Sequence, residues 1–426
     1  MAKTINVALL GAGTVGGGVY KLIQRQAEAL PGKVGAEVKI KKILVRDVTK
    51  DRPGIDKSLL TDKWEDIIND DEIEIIVEVT GGVVPARERV IEALEKGKNV
   101  VTANKDLIAA YGTELFEVAD KAGRDLLFEA SVAGGIPIIR PLKECLAGNN
   151  ITEIMGIVNG TTNYILTKMS EDGMDFDKAL AIATELGYAE ADPTADIEGY
   201  DAGRKVAIMA SLAFDSRVSF DDVDIEGITK ITAKDVEFAD NFGMAIKLLG
   251  ITRNTPDGIE ASVHPVLIEK NHPLASVRDA FNAVFVHGDA IDDAMFYGRG
   301  AGEFPTASAV MGDIIEVARN IVCGCTGRIS CKCKKLIPVK DAGDVKSKYF
   351  LRLKAADRPG VMAGITSVLG NNKISITQVV QTAAVDGEAE MVIMTDEVKA
   401  KHFDDAIIIL KSLSSVNKIC SVIRVH

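Results

Sequence analysis

The sequence predicts an α/β chain in three parts. A doubly wound parallel sheet comes first, an α+β region follows, and a small β-α-β-β-α-β unit of ferredoxin-like type closes the chain. Three observations lead there. Short β-branched runs alternate with helical stretches over residues 1–140, as a parallel sheet with crossover helices requires. The alternation loosens between 141 and 297. The order strand, helix, strand, strand, helix, strand then occupies residues 348–426, a length that can fold alone.

The first strand is Thr4 to Leu10, and Gly11-Ala12-Gly13-Thr14-Val15-Gly16 follows it, with helical character from Val19 to Leu30. This is G-x-G-x-x-G between a strand and a helix. The first glycine makes the turn, the second lets backbone approach a pyrophosphate, and the third lets helix pack on strand. The helix N-terminus then faces the phosphate charge. The reading is a Rossmann-type dinucleotide site, against the plainer one of a glycine-rich turn in another α/β fold. The next strand, Val38 to Val45, ends at Arg46-Asp47, with Lys50 and Arg52 beyond. An acid here suits the ribose hydroxyls of NAD, and an arginine suits a 2′-phosphate. Arg46 tilts the expectation to NADP, and Asp47 keeps NAD open.

Asp71 to Val79 reads as a strand ending in Thr80-Gly81-Gly82, and Pro85 to Lys96 as its crossover helix. Asn99 to Thr102 ends in Ala103-Asn104-Lys105, which places Thr80, Gly81 and Lys105 at the carboxyl edge of the sheet, where ligands bind. Phe116 to Ala122 reads as helix and Leu126 to Ala130 as strand, running into the glycine-rich loop Ser131 to Pro137. Further on, Ile151 to Val158 reads as a strand. Asn159-Gly160-Thr161-Thr162-Asn163-Tyr164 is a polar run suited to a small polar ligand, or to a helix start capped by Thr161 or Thr162. Asp177 to Leu186 reads as a helix. Gly298 to Gly302, before an apolar helix at Ala309 to Ile321, is a second glycine-rich turn set to close over the cofactor.

The densest ionisable stretch is GYAEADPTADIEGYDAGRKVAI, Gly187 to Ile208. Asp192-Pro193-Thr194 reads as a helix entry. The helix it opens would carry Asp196, Asp201 and Lys205. Asp201 and Lys205 are four apart and share a face. A lysine at the edge of an apolar helix, beside an aspartate, suits proton transfer; the plainer reading is a solvated ion pair.

A net charge of −12 with no basic tract, and 5% aromatics, argue against nucleic acid or a membrane surface as partner. No apolar run is long enough to span a bilayer, and the N-terminus reads as a strand without a signal peptide. Six cysteines in 426 residues do not suggest a secreted disulfide framework, so the expected compartment is the cytoplasm. Cys323, Cys325, Cys331 and Cys333 form C-x-C-x5-C-x-C, which fits neither zinc pairs nor ferredoxin spacing. The reading divides between a metal site and reduced thiols in a Lys-rich linker. His264, His272 and His287 are too scattered for a metal site and read as structural.

Together these motifs resemble homoserine dehydrogenase carrying a C-terminal ACT domain. The resemblance rests on GAGTVG, VEVTGG at Val77 to Gly82, TANK at Thr102 to Lys105, and FEASVAGGIPII at Phe128 to Ile139. It continues through GIVNGTTNYIL at Gly156 to Leu166, the Gly187 stretch, and GRGAGEFPTASAV at Gly298 to Val310. DRPGVMAGI at Asp357 to Ile365 looks like the ligand-binding turn of ACT domains. The resemblance implies NAD(P)H-dependent reduction of L-aspartate 4-semialdehyde to L-homoserine, in threonine, methionine and isoleucine biosynthesis. It implies a dinucleotide domain at 1–140 with return of 298–322, a catalytic and dimerisation domain at 141–297, a linker at 323–347 and an ACT domain at 348–426. Lys205 would give the proton with Lys105 assisting. Asp201 would belong to the catalytic group, Glu190 and Asp196 or Asp201 would hold the substrate ammonium, and Gly160 and Thr161 would line its pocket. Gly11, Gly13, Thr14, Val15, Gly16, Arg46, Thr80, Gly81, Lys105 and Gly302 would bind the cofactor. Glu129, with the backbone of Val132, Gly134 and Ile136, would hold sodium. Threonine would be the effector, and the assembly a homodimer or larger. The competing readings are a dehydrogenase of another small oxo acid, and a nucleotide-sensing regulator without turnover. Loss of Lys105 or Lys205 would mark the latter, and both are present.

Overall fold

The computed structural model describes residues 3–328 and 333–426. Strand β1 (Thr4–Leu10) leads to α1 (Thr14–Arg25), α2 (Leu30–Val34), β2 (Glu37–Leu44), β3 (Leu60–Thr61) and α3 (Glu65–Ile68). Next come β4 (Ile73–Glu78), α4 (Ala86–Glu95), β5 (Asn99–Thr102), α5 (Lys105–Ala122) and β6 (Leu126–Leu127). They are followed by β7 (Ile151–Ile157), α6 (Gly160–Glu171), α7 (Phe176–Glu185), α8 (Thr194–Ile197) and α9 (Tyr200–Phe214). Then come β8 (Asp224–Ile225), α10 (Ala233–Asn241), β9 (Met244–Thr255), β10 (Gly258–Glu269), β11 (Phe281–Gly288), β12 (Asp292–Arg299) and α11 (Glu303–Cys323). The chain ends with β13 (Lys346–Ala356), α12 (Val361–Asn371), β14 (Ile376–Gln381), β15 (Glu388–Thr395), β16 (Val398–Lys399), α13 (Ala400–Ser412) and β17 (Val416–Val425). Two compact units result. One holds residues 1–154, 204–222 and 281–337; the other holds 155–203, 223–280 and 338–426.

The first unit is built on a parallel sheet in the order β3-β2-β1-β4-β5-β6. The order reverses between β1 and β4, which opens a crevice at their carboxyl ends. Val7, Ala8, Leu9 and Leu10 are all buried, because helices cover both faces of a central parallel strand; hence the unbroken apolar run. Val19 and Ile23 of α1 pack with Val310 and Ile314 of α11 against Ile5, Val7 and Leu9. Helix α1 starts at Thr14, five residues before the expected Val19, through three consecutive glycines that are poor helix formers. Space decides it. A Cβ on Gly16 would sit 2.2 Å from the Gly11 carbonyl oxygen, and one on Gly18 would sit 2.8 Å from that of Glu303.

Several expectations are corrected here. Helix α5 starts at Lys105 rather than near Phe116, because the Asn104 side chain caps it. Strand β6 has two residues, and Glu129–Ser131 turns as a 3₁₀ helix instead of continuing it. Helix α11 begins at Glu303, ahead of the expected Ala309. The helix expected to carry Asp196, Asp201 and Lys205 together is two helices, α8 and α9. Between them Gly199 takes φ +84, a left-handed conformation that stops α8.

In the second unit one sheet runs β9-β10-β17-β13-β15-β14. Strands β9 and β10 form a long hairpin closed by Pro256-Asp257, with Thr255 paired to Gly258. Strands β13, β14, β15 and β17 with α12 and α13 make the βαββαβ fold. Leu351, Leu353 and Tyr349 face Ile365, Leu369, Phe403 and Leu410. The opposite face of β13 is covered too. Phe350 meets Phe242 edge-on at 6.3 Å. Arg352 reaches the N-terminus of α10, where Thr232 and Asp235 form a capping box. Arg352 donates to Asp235 at 2.8 Å, Glu390 at 2.5 Å and Thr232 at 3.0 Å, and Ser421 also donates to Asp235.

Candidate active site

The crevice of the first unit forms a cleft of about 990 Å³, enough for a dinucleotide. Gly11 turns the chain at φ +106. Nothing lies within 4 Å of where a Gly13 Cβ would be, so the backbone stands open at the N-terminus of α1. Gly11, Gly13, Thr14, Arg46, Thr80 and Gly81 all line the cleft. Of the other expected cofactor residues, Gly16 is buried behind the turn and Val15 is half-buried beside it. Gly302, Val15, Gly16 and Lys105 are not on the cleft wall. Lys21, Arg89 and Glu303 are on it and were not expected. Lys21 and Glu303 pair at 2.6 Å across 282 positions, a relation that no sequence spacing reveals.

The carboxylate of Asp47 is already engaged. It accepts from the Thr49 amide at 2.8 Å and from the Thr49 hydroxyl at 2.6 Å. The hydroxyl bond first, then the amide, holds its pKa below the usual aspartate range. Arg52 donates to the carbonyls of Asp47 and Lys50, which closes the loop. Arg46, Lys50 and Arg89 bring positive charge to the same cleft.

The sheet edge is organised by a buried acid that the motif reading passed over. Glu78 accepts from the Thr80 amide (2.9 Å) and hydroxyl (2.5 Å) on one oxygen, and from the Thr102 hydroxyl (2.8 Å) on the other. Asn104 donates to the Gly82 carbonyl at 2.6 Å while it caps α5. The TGG and TANK segments are thus tied together, and Lys105 is the first residue of α5 at that edge. Next to it, Asp106 pairs with Arg204 at 2.8 Å. Arg204 precedes Lys205 on α9, so one ion pair fastens the helix starts that carry the two lysines. Lys205 is buried and Lys105 is half-buried.

In the second unit the polar run is capped by Asn159, not by Thr161 or Thr162. The Asn159 carbonyl oxygen Oδ1 accepts from the Thr162 amide at 2.9 Å. Its Nδ2 donates to Asp196 at 2.7 Å and to Asp201 at 2.9 Å. One amide group therefore gathers two carboxylates at the N-terminus of α6, beside Gly160. Thr161 donates to the Tyr188 carbonyl at 2.7 Å, and the rings of Tyr164 and Tyr188 lie 5.0 Å apart. Glu190 is exposed two residues beyond. A pair of carboxylates beside a helix start and an aromatic pair suits a small cation such as an amino-acid ammonium.

The glycine-rich loop folds around the buried Glu129. Both carboxylate oxygens of Glu129 are taken, by the amides of Ile138 (2.6 Å), Ile139 (2.7 Å) and Arg140 (2.8 Å). The acid side chain is thus fixed in place by three backbone donors. The carbonyls of Val132, Gly134 and Ile136 carry no hydrogen bond among the described residues, and Val132 and Ile136 are buried. Neutral carbonyl donors fit a hard monovalent ion. Gly134 is required there: at φ +57, a Cβ would lie 2.1 Å from the Gly300 carbonyl oxygen. Behind the loop, burial pushes Asp313 up to about 7, with the charge of Glu129 adding and Arg140 opposing.

Cys323, Cys325 and Cys333 are free thiols, and Cys331 lies outside the described residues. No group of three or more His, Cys, Asp or Glu among the described residues is arranged to hold a metal ion. His264 is buried against Asp224 at 3.1 Å, and the exposed His287 pairs with Asp293. Among the described residues no helix is long and apolar enough to cross a membrane.

Family models match along the chain: "Homoserine dehydrogenase, NAD binding domain" at residues 11–129, "Homoserine dehydrogenase" at 137–315, and "ACT domain" at 349–414. The homoserine dehydrogenase of Bacillus subtilis is 43% identical over 427 residues, covering 100% of this chain and 99% of that one. The chain belongs to the homoserine dehydrogenase family. It is an NAD(P)-dependent oxidoreductase acting on a CH–OH group, with an ACT domain. The crystal structure of a homoserine dehydrogenase from Thiobacillus denitrificans superposes with a TM-score of 0.94 at 41% identity, covering 100% of this chain and 99% of that one. A hyperthermophilic archaeal homoserine dehydrogenase in complex with NADPH gives a TM-score of 0.63 at 27% identity, covering 74% of this chain and 97% of that one.

Proposed function

We propose that this homoserine dehydrogenase reduces L-aspartate 4-semialdehyde with Lys205 and Lys105 at the aldehyde oxygen and Asp196, Asp201 and Glu190 at the substrate ammonium. When bound, the nicotinamide supplies the hydride. The aldehyde oxygen becomes an alkoxide as its carbon is reduced, and an ammonium beside it neutralises the charge. Lys205 gives the proton, and Lys105 assists. The Asp106–Arg204 pair supports this by fixing both helix starts. Gly160 and Thr161 line the pocket for the amino-acid end.

NADPH is preferred to NADH. The support is Arg46 and Lys50 on the cleft wall as partners for a 2′-phosphate, beside an Asp47 whose Oδ1 is held by Thr49. The carbonyls of Val132, Gly134 and Ile136 take sodium as a structural ion. The ACT domain takes threonine as end-product inhibitor, and rates that stay flat across a threonine titration would refute that. Met295 and Tyr297, exposed on β12, support a homodimer through that hairpin, which light scattering checks. Five free cysteines among the described residues support a reducing, cytoplasmic setting.

The observation that carries the substrate assignment is the pair Asp196 and Asp201 held by Asn159. The test compares L-aspartate 4-semialdehyde with 4-oxobutanoate, the same aldehyde chain without the amino group. The expected kcat/KM ratio is about 10²-fold in favour of the amino acid and collapses in Asp201→Asn. Equal use of both compounds would favour a dehydrogenase of another oxo acid.

A further inference from the structure

Lys247 is a buried cation that the reaction does not call for. It lies on β9 in the interior of the second unit, 5% exposed. Its ammonium donates to Asn163 Oδ1 at 3.1 Å and to the Val277 carbonyl at 2.5 Å. Both acceptors are neutral. An ammonium taken out of water is costly without a carboxylate partner, and an unbranched apolar side chain would fill the same strand position at no such cost. The head group is therefore kept for what it holds.

What it holds is Asn163. With Oδ1 accepting from Lys247, the Asn163 amide nitrogen must face the other way, where it donates to Asp279 O at 2.9 Å and Val277 O at 3.3 Å. Thr167, one turn further along α6, donates to the Asn163 carbonyl at 2.7 Å and accepts from the Asp279 amide at 3.1 Å. Helix α6 is thus pinned to β9 and to the loop at residues 277–279. One turn earlier, the Asn163 amide donates to the carbonyl of Asn159 at 3.3 Å. Asn159 is the residue whose side chain gathers Asp196 and Asp201.

We propose that Lys247 is a positioning residue for substrate binding: through Asn163 it sets where α6 begins, and with it the Asn159 amide that aims Asp196 and Asp201 at the substrate ammonium. The inference rests on the assignment of those two carboxylates above. Lys247 touches neither substrate nor cofactor, so its effect falls on recognition of the amino group. Burial lowers its pKa to about 8, with Glu171 of α6 and Asp279 of the loop opposing and Arg278 adding. Above that pH the charge-assisted bonds to Asn163 and Val277 become ordinary ones, so KM for the amino-acid substrate rises.

The test uses the full-length enzyme and Lys247→Met. KM for L-aspartate 4-semialdehyde is expected to rise about tenfold, and the preference over 4-oxobutanoate to fall by the same factor, with KM for NADPH unchanged. A folded Lys247→Met with unaltered KM and preference overturns the proposal, whatever its melting temperature. Should Lys247→Met fail to fold, Asn163→Asp decides. It keeps the acceptor and gives Lys247 a carboxylate, so the rise in KM near pH 8 should move to higher pH; a rise at the same pH overturns the proposal. The two readings fail separately. Wild type without preference for the amino acid defeats the carboxylate assignment. Preference that is lost in Asp201→Asn but kept in Lys247→Met defeats only the role of Lys247.

Discussion

Replacing Arg352 by Met should loosen the junction between β13 and α10 far more than a surface substitution would. Arg352 is 5% exposed and Asp235 is 0% exposed. The guanidinium donates to Asp235, Glu390 and Thr232. Burial alone would raise the Asp235 carboxyl; the bonds from Arg352, Ser421 and Thr232 outweigh it and hold the group below its usual range. Removing one partner of a buried pair costs about 3–5 kcal/mol, because it strands the other charge. At 1.4 kcal/mol per factor of ten, amide hydrogens of α10 and β13 should exchange roughly 10²- to 4 × 10³-fold faster. The sign with pH follows. The folded pKa of Asp235 is depressed, so its contribution is complete above the unfolded value near 3.8 and is lost as pH falls through the folded one. The double variant Arg352→Met/Asp235→Asn leaves no charge stranded at position 235 and keeps a capping side chain there, although the half-buried Glu390 still loses its Arg352 partner. It should recover about half of the loss. Exchange accelerated by less than tenfold in Arg352→Met, or a double variant worse than the single, would refute the reasoning.

Other outcomes are expected from the same geometry. Arg46→Asp should shift the NADPH/NADH ratio of kcat/KM by about 10²-fold toward NADH; an unchanged ratio in steady-state assays would contradict the role given to Arg46. Gly134→Ala should destabilise the first unit by about 2 kcal/mol or more and remove any response of activity to sodium, because its Cβ collides with Gly300. Thermal melts with and without sodium read both. Burial depresses the pKa of His264, with Asp224 opposing. The stability it contributes is therefore complete above its unfolded value of about 6.5 and is lost as pH falls below it. His264→Gln should flatten the stability profile below about pH 6.5, measured by denaturant titration.

The parts of the fold that were legible are those set by local pattern. The strand-turn-helix at Gly11, the sheet-edge motifs at Thr80 and Asn104, and the βαββαβ order after residue 348 each rest on spacing within a few residues. The parts that were not legible depend on contacts from far along the chain. In helix α1, Gly16 makes room for the nearby Gly11 carbonyl, whereas Gly18 makes room for α11, some 285 positions later in sequence. The break at Gly199 was hidden because Asp192-Pro193-Thr194 reads as a helix entry and Asp201 and Lys205, four apart, share a helix face beyond it. The site divides in the same way. Asp196, Asp201 and Lys205 are conspicuous as ionisable groups in an apolar stretch, whereas Glu78, Asn159 and Lys247 act through partners 24 to 84 residues away. Glu129 was legible as an acid, but its three backbone donors were not.

The most direct measurement is the single-turnover rate of NADPH oxidation by L-aspartate 4-semialdehyde, followed by stopped-flow absorbance in wild type and in Lys205→Ala with NADPH saturating. The account expects hydride transfer to slow by about 10²- to 10⁴-fold while NADPH still binds with its wild-type affinity. Transfer within a few-fold of the wild-type rate would mean that the alkoxide is neutralised by some other group and that the role given to Lys205 is wrong.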